Sequence, residues 1–203
     1  MDKWAHLGHT LGECLYDQDK SITFVHIPKN ASSFVKGCLL SSGRFTHSDS
    51  LVTTDHYLIT LRDPIERWIS GIAQFMGVES NQRFTLHELV EQVTVDDHTE
   101  LQTYFLQDVD IDRCTFLKVN QNLRTNIKLW LDEHGYSHNG PDVPNINQGN
   151  QLLKDRFAAM VDGNSQIKLK LEFLLLIPLI CGSQRMAVLL NQENLILHSL
   201  SIR

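Results

Sequence analysis

The sequence lacks paired cysteines and long apolar runs, two features that would fix its class at once. Its cysteines are widely spaced, with no C-x-x-C pair, which argues against a zinc site or a disulfide framework and fits a reducing compartment. The most apolar stretch, FLLLIPLIC at 173–181, is far shorter than the roughly 20 residues that span a bilayer. The N-terminal segment has no apolar region of the signal-peptide type. We therefore expect a cytoplasmic protein without a membrane anchor.

Positive charge is also scarce. Lysine and arginine together number 18, against 24 aspartates and glutamates, which gives a net charge of -6. Proteins that coat nucleic acid usually carry the opposite balance, so we expect no nucleic-acid partner and only a local anion site. The 42% hydrophobic and 21% charged content is ordinary for a globular protein. At 203 residues, the chain is predicted to form a single domain over 1–203.

Strands and helices alternate along the sequence. Three apolar, β-branched runs predict buried strands: ITFVHI at 22–27, HYLITL at 56–61 and CTFLKV at 114–119. The helix after the first strand has Ser32 or Ser33 as its predicted cap, and the helix after the third is closed by Gly135. The helix between them begins with Asp63 as N-cap and Pro64 at its first position. This order predicts an α/β fold with a mainly parallel central sheet flanked by helices.

Two strand–helix junctions carry the residues expected to bind anions. Ligands of parallel sheets collect at the carboxyl ends of the strands, beside helix N-termini whose N–H groups favour negative charge. The first junction, HIPKNASS, adds the charge of Lys29 and the hydroxyls of Ser32 and Ser33. The second, LRDPIERWIS, offers the forked guanidinium of Arg62 and, two turns into the helix, the hydroxyl of Ser70. Two separate sites predict a ligand with two anionic groups.

Together the two junctions resemble the cofactor motifs of sulfotransferases that use 3′-phosphoadenosine 5′-phosphosulfate (PAPS), in particular Golgi-type carbohydrate sulfotransferases and their bacterial and viral relatives. The resemblance implies a P-loop-like three-layer sandwich and transfer of a sulfuryl group to an acceptor hydroxyl, that of a glycan in this family, without a metal. It implies that Arg62 and Ser70 hold the 3′-phosphate. It also implies that the 5′-phosphosulfate lies in a loop of Pro28, Lys29, Asn30, Ala31, Ser32 and Ser33.

Weaker likeness continues beyond these motifs. DDHTELQTYFL at 96–106 resembles the family's histidine-to-glutamine segment, with His98 and Gln102 matching; the two are four residues apart on a predicted helix that includes 99–107. PNINQGN resembles an asparagine-containing loop, so the likeness covers about 22–150. The tail at 165–203 is apolar where the family usually has an aromatic- and acid-rich helix.

A histidine is the expected base that removes the acceptor proton. We assign it to His47, since GRFT before it can form a short strand whose carboxyl end faces the site, and related enzymes place bases in this interval. Asp49 and His98 are the next candidates. His56 begins its strand and would lie about 15 Å from the ligand end of the sheet. His26 is expected inside the first strand, as a packing residue.

Two alternatives to this enzyme stay open. The pocket could hold PAPS or its desulfated product without catalysis, if the atypical tail has lost the acceptor site. A kinase of the P-loop class is the other, although G-x-x-x-x-G-K-[ST] is absent and Lys29 precedes the small residues instead of following glycines. For a polyanionic glycan, Lys36, Arg44 and Arg67 are candidate groove residues. Arg67 is expected on the exposed helix face, paired with a neighbouring carboxylate.

Overall fold

The computed structural model describes residues 12–137 and 151–172. The chain divides into two compact units. The sheet unit comprises the described residues of 11–62 and 105–147, and the helical unit those of 63–104 and 148–190. The predicted single domain stays a prediction. The loop at 139–150 and the tail beyond 172 lie outside the described residues. Among the described residues, no helix is long and apolar enough to cross a membrane.

A mixed five-stranded sheet forms the centre of the sheet unit. Its strands are β1 (Cys14–Asp17), β2 (Ile22–Val25), β3 (Thr46–Ser48), β4 (His56–Leu61) and β5 (Cys114–Lys118). The spatial order is β3-β1-β2-β4-β5, with β2, β4 and β5 parallel and β1 antiparallel to both of its neighbours. Four strands thus point the same way, and their C-terminal ends share one edge of the sheet with the start of β1. We call it the carboxyl edge.

The sequence predicted the three parallel strands and the α/β class, which the structure confirms, but it did not predict β1. The helices in chain order are α1 (Ser32–Ser41), α2 (Pro64–Met76), α3 (Leu86–Gln92), α4 (Leu123–Glu133) and α5 (Gln151–Gly163). The predicted helix at 99–107 is confirmed in part, as a shorter 3-10 helix, Gln102–Leu106, and His98 lies in the turn before it. His98 and Gln102 are therefore not neighbours on one α-helix.

Helices α1 and α4 bury their apolar sides against one face of the sheet. Phe34, Val35 and Leu39 of α1 and Trp130 of α4 belong to one core cluster with strand residues such as Leu58. Burying a side chain of this size contributes roughly 1.5–3 kcal/mol. Side chains on the opposite face are buried as well, among them Tyr57, Ile59 and Phe116. This agrees with the nearly continuous apolar runs of the parallel strands.

The helical unit is built around α2, α3 and α5. Its core contains Trp68 and Ile72 from α2, Leu89 from α3 and Phe157 from α5. The predicted start of α2 is confirmed: the carboxylate of Asp63 accepts hydrogen bonds from two backbone N–H groups of the first turn, at 3.0 and 2.9 Å. These local signals place α2 without help from the rest of the chain.

Candidate functional site

The loop from β2 to α1 has an unusual backbone. Lys29 and Ala31 have φ values of 68° and 58°, in the left-handed region that non-glycine residues rarely adopt. Asn30, between them, is outside that region, and Pro28 before them is buried. The backbone N–H of Asn30 donates to the carbonyl of Ile27 at 3.3 Å, so the loop turns back on itself. Each left-handed residue costs roughly 1–2 kcal/mol, so neighbouring contacts must hold the loop.

Contacts with β4 and the residue after it hold this loop. The side-chain amide of Asn30, itself buried, donates to the backbone carbonyl of Thr60 at 2.7 Å. The guanidinium of Arg62 lies 3.5 Å from the carbonyl oxygen of Lys29, at the long limit of a hydrogen bond. The hydroxyl of Thr60 is buried and has no hydrogen-bond partner among the residues described. The loop is thus fixed to the carboxyl end of β4.

The N-terminus of α1 differs from the prediction. Its N-cap is Ala31, and within the described part of the chain no side chain caps it. The hydroxyl of Ser32 donates to the carbonyl of Ile27 at 2.5 Å, so it closes the loop and does not cap the helix or face an anion. Ser33, in the first turn, is exposed. The first N–H groups of α1 therefore lack a side-chain acceptor, in contrast to those of α2.

The second predicted anion site involves Arg62 and Ser70. Arg62 directly follows β4 at the carboxyl edge and is half-buried. Ser70 lies on α2, where it is buried. Both residues therefore occupy the elements that the sequence predicted. That their side chains share one phosphate stays a prediction.

A second polar cluster lies at the carboxyl edge and consists of Glu13, His26, Lys36 and His47. Glu13 immediately precedes β1, whose antiparallel pairing places it beside His26, and the backbone N–H of His26 donates to the Glu13 carbonyl at 3.1 Å. One carboxylate oxygen of Glu13 lies 2.5 Å from Nδ1 of His26. The other lies 3.0 Å from Nε2 of His47 and also accepts from the ammonium group of Lys36. Glu13 is the hub that joins two histidines and a lysine.

Glu13 is ionised at any physiological pH. Burial alone would raise its pKa, but hydrogen bonds from Lys36 and His47, together with the charge of His26, outweigh that effect and lower the pKa to about 2. Glu13 could not be predicted from the sequence, because its partners are 13 to 34 residues away along the chain. The placement of His26 inside a strand was wrong, since β2 ends at Val25 and His26 emerges at the carboxyl edge.

Further predicted polar residues in the sheet unit are His56, Asp49, Lys36 and Arg44. His56 lies at the amino end of β4, as expected, with Nε2 2.8 Å from the hydroxyl of Thr115. Asp49 is almost fully exposed, with its carboxylate 3.6 Å from Nδ1 of His47. Lys36 binds Glu13, while Arg44 pairs with carboxylates that follow or end β1. These two cations are therefore already engaged within the chain and do not support the predicted basic groove.

In the helical unit, α2 packs closely against the segment 96–100. Arg67 was expected to be exposed, but it is buried and donates to the backbone carbonyls of Asp97, at 3.1 Å, and of Glu100. It is therefore unavailable for a surface groove. One turn further on, a Cβ added to Gly71 would lie 2.3 Å from the carbonyl oxygen of His98. Helix α2 thus contacts this segment through the guanidinium of Arg67 and through Gly71, which has no side chain.

His98 in this segment is surrounded by polar groups. Its Nδ1 lies 3.1 Å from a carboxylate oxygen of Asp96 and 3.0 Å from one of Asp97, and its Nε2 lies 2.8 Å from the amide of Gln74. Burial alone would lower its pKa, but the two carboxylates outweigh this and raise the pKa to about 9. The three side chains are close enough together to hold a metal ion. Their ion pairs account for the cluster, and we assign no metal to it.

We expect the stability of the chain to depend on pH through His98. A histidine whose pKa rises on folding, here from about 6.5 in unfolded chains, stabilises the fold fully below that value and loses this effect as pH rises through about 9. The stabilisation lost between the two extremes of pH is about 3 kcal/mol. Urea unfolding of wild type and His98→Gln at pH 6 and pH 9.5 measures it. A stability difference between the two proteins that is equal at both pH values would contradict the assignment.

The carboxyl edge of the sheet unit combines features that suit the binding of an anion and the transfer of a proton. The loop at 26–31, the uncapped start of α1 and the cations of Lys29 and Arg62 suit a doubly anionic ligand. The Glu13 cluster adds two histidines that can accept a proton. In comparisons with known proteins, no family model, no curated protein and no solved structure matches the chain.

Proposed function

We propose that the chain is a sulfotransferase that moves the sulfuryl group of PAPS to the hydroxyl of an acceptor, which the resemblance makes a carbohydrate. The observation that carries this proposal is the loop at 26–31, where Lys29 and Ala31 hold left-handed conformations in front of a helix without a side-chain cap. Strain of this kind persists where surrounding structure enforces it, and it concentrates at ligand sites. An anion on the loop would explain the strain.

In this proposal the sheet unit is the nucleotide-binding part of a P-loop-like three-layer sandwich. Three neighbouring parallel strands followed by loops at one edge, with α1 and α4 against one face, support that architecture. The burial of side chains on both faces of β4 supports it as well. The sandwich, like the enzyme class, is inferred from the sequence motifs together with these features.

The proposed reaction needs charge stabilisation at one point and proton removal at another. The acceptor oxygen attacks sulfur in line with the departing phosphate oxygen, as in phosphoryl transfer. Lys29 and the N–H groups at the start of α1 would stabilise the charge that develops on the leaving 5′-phosphate. Arg62, with Ser70 from the sequence motif, is assigned to the 3′-phosphate. A histidine of the Glu13 cluster is assigned to the acceptor proton, and no step in this scheme calls for a metal.

The alternatives differ in what the site must contain. A protein that only binds PAPS needs no base, whereas the Glu13 cluster supplies two histidines at the same sheet edge as the loop. A kinase of the P-loop class would bind ATP, whose phosphates form one chain, and would not need a second anion site at Arg62. The proposed enzyme uses both the histidines of the Glu13 cluster and the second anion site at Arg62.

Two measurements test the proposal. Isothermal titration with adenosine 3′,5′-bisphosphate and with ATP should show clear preference for the bisphosphate, because only that ligand carries two separate anionic groups. Transfer of labelled sulfate from PAPS to a panel of neutral and acidic glycans should give turnover on at least one acceptor. Preference for ATP would overturn the proposal. Tight bisphosphate binding with no turnover on any acceptor would favour the binding protein.

A further inference from the structure

We propose that His26 is the catalytic base that activates the acceptor hydroxyl and that Glu13 is its positioning residue. This inference rests on the proposed function and names the proton acceptor within the same site. It replaces His47, which the sequence favoured for the role. Four observations support it: the position of His26 relative to Lys29, the contact of its ring with Glu13, the other contacts of that carboxylate, and the distance of β3 from β2.

Chain geometry places His26 nearer than His47 to the loop. His26 is the first residue after β2 and three residues before Lys29, and the backbone N–H of Asn30 donates to the carbonyl of Ile27 at 3.3 Å, which folds the loop back. Three residues span at most about 10 Å even when extended. His47 lies on β3, which β1 separates from β2. Two strand spacings put the backbone of His47 about 10 Å from that of β2, while its ring reaches the Glu13 carboxylate.

The contact with Glu13 fixes the ring of His26. Nδ1 lies 2.5 Å from the carboxylate, so in the neutral ring the proton resides on Nδ1 and the lone pair on Nε2. A carboxylate in this position orients a histidine base and stabilises the imidazolium that forms when it takes a proton. The His26 side chain is 18% exposed, and that of His47 is 49% exposed. Of the two, His26 has the more enclosed and better oriented ring.

Neighbouring charges keep Glu13 in place. Its second oxygen accepts from Lys36 and lies 3.0 Å from Nε2 of His47, so the carboxylate is held from both sides. The ammonium group of Lys36 is also 3.4 Å from Nδ1 of His26. Glu13 and Lys36 thus face Nδ1 of His26, and His47 contacts the same carboxylate from the other side. In this arrangement His47 and Lys36 support the carboxylate, and the carboxylate supports the base.

The proposed transfer is a single displacement at sulfur. The acceptor oxygen forms a bond to the sulfur of PAPS, while the bond between that sulfur and the 5′-phosphate oxygen breaks. The electron pair of the broken bond stays on the phosphate oxygen of adenosine 3′,5′-bisphosphate. The hydroxyl proton passes to Nε2 of His26, and the imidazolium returns it to solvent after the products leave.

His26→Asn is the main test variant, because its side-chain amide can still donate to Glu13 but cannot accept the proton. With PAPS and the best acceptor of the glycan panel, we expect kcat to fall about 10²–10⁴-fold. The Kd for adenosine 3′,5′-bisphosphate should stay within about threefold in the same variant. Imidazole added to His26→Ala should restore part of the rate. The exposed residue His87 provides a matched control, since His87→Ala should keep the wild-type rate.

Two further variants separate the roles. Glu13→Gln should lower kcat about 10–100-fold, the usual cost of losing a partner that orients a histidine, and should move the acidic limb of the pH–rate profile. His47→Ala should change kcat less than tenfold. A loss in His47→Ala larger than that in His26→Asn would overturn the assignment and return the role of base to His47. A rate near wild type in His26→Asn would also overturn it.

Nitrogen NMR of the neutral His26 ring gives a readout that does not depend on turnover. We expect the proton on Nδ1, with the tautomer preference weakened in Glu13→Gln. A proton on Nε2 would overturn the assignment of the base. Failure of the proposed function looks different: wild type would then bind no adenosine 3′,5′-bisphosphate and transfer no sulfate, and the assignment of the base would fall with it.

Discussion

Lys29→Ala is expected to abolish detectable sulfate transfer, with kcat lowered about 10²–10³-fold or more. Lys29 is the cation within the left-handed loop, and its backbone is held by the contact of its carbonyl with Arg62. In the proposed reaction it faces the 5′-phosphate as negative charge accumulates there. Loss of one such preorganised group from an enzyme costs about 3–4 kcal/mol in the transition state. Transfer of labelled sulfate from PAPS measures the effect.

Matched variants show whether the loss comes from the position of the charge. Lys128→Ala removes an exposed lysine from α4 in the same unit and should leave the rate unchanged. Lys29→Arg keeps the charge but presents it as a planar fork, so we expect intermediate activity. Circular dichroism should show the same fold for all three variants. Near-normal turnover by folded Lys29→Ala would mean that the phosphosulfate does not lie at this loop.

The parallel strands and α2 could be predicted because their signals are local. An apolar run such as 56–61 is buried whatever its partner, and Asp63 followed by Pro64 begins a helix from its own atoms. β1 has no such signal. It is four residues long and ends at Asp17, whose buried carboxylate accepts a hydrogen bond at 2.9 Å from the hydroxyl of Tyr136, 119 residues away. An aspartate resembles a loop residue until that partner is known.

Some residues of the candidate site could likewise be predicted from the sequence, and others could not. Lys29 and Arg62 follow predicted strands, so sequence alone could place both at the carboxyl edge. The roles of the small residues could not be assigned in that manner: Ser32 closes the loop and Ala31 caps the helix, because the backbone turns through left-handed conformations that composition does not reveal. Glu13 depends on the antiparallel pairing of β1. A prediction that lacks this strand also lacks the carboxylate that orients His26.

The burial of Arg67 could not be predicted from the spacing of apolar residues along α2. The apolar stripe of α2 places Arg67 on the side away from it, which predicts exposure. That side instead meets the segment 96–100, whose carbonyl groups accept from the guanidinium. A helix can therefore be buried on a second side by polar contacts with backbone, and these leave no hydrophobic pattern. The same close contact explains the glycine at position 71, one turn after Arg67. The backbone of the segment 96–100 lies so near Gly71 that a side chain would not fit.

Gly71→Ala should destabilise the chain by about 2 kcal/mol or more, although helix propensity alone predicts a gain of about 1 kcal/mol. The added Cβ would lie 2.3 Å from the carbonyl oxygen of His98 and 2.8 Å from its carbonyl carbon. Both are backbone atoms, which cannot rotate away as the end of a side chain would. Forcing them apart also strains the hydrogen bonds of Arg67 to the same segment, and overpacking of this kind typically costs about 1–3 kcal/mol. Urea unfolding monitored by circular dichroism measures the change.

Gly163→Ala is the matched control in the same unit. Gly163 is the last residue of α5, and a Cβ placed there would meet no described atom within 4 Å beyond its chain neighbours and its own helix backbone. Only helix propensity then acts, so this variant should be as stable as wild type or more stable by up to about 1 kcal/mol. The sign of the change, negative at 71 and neutral or positive at 163, separates steric contact from propensity. If Gly71→Ala proves as stable as Gly163→Ala, α2 does not approach the segment 96–100 as closely as described, and the burial of Arg67 loses its explanation.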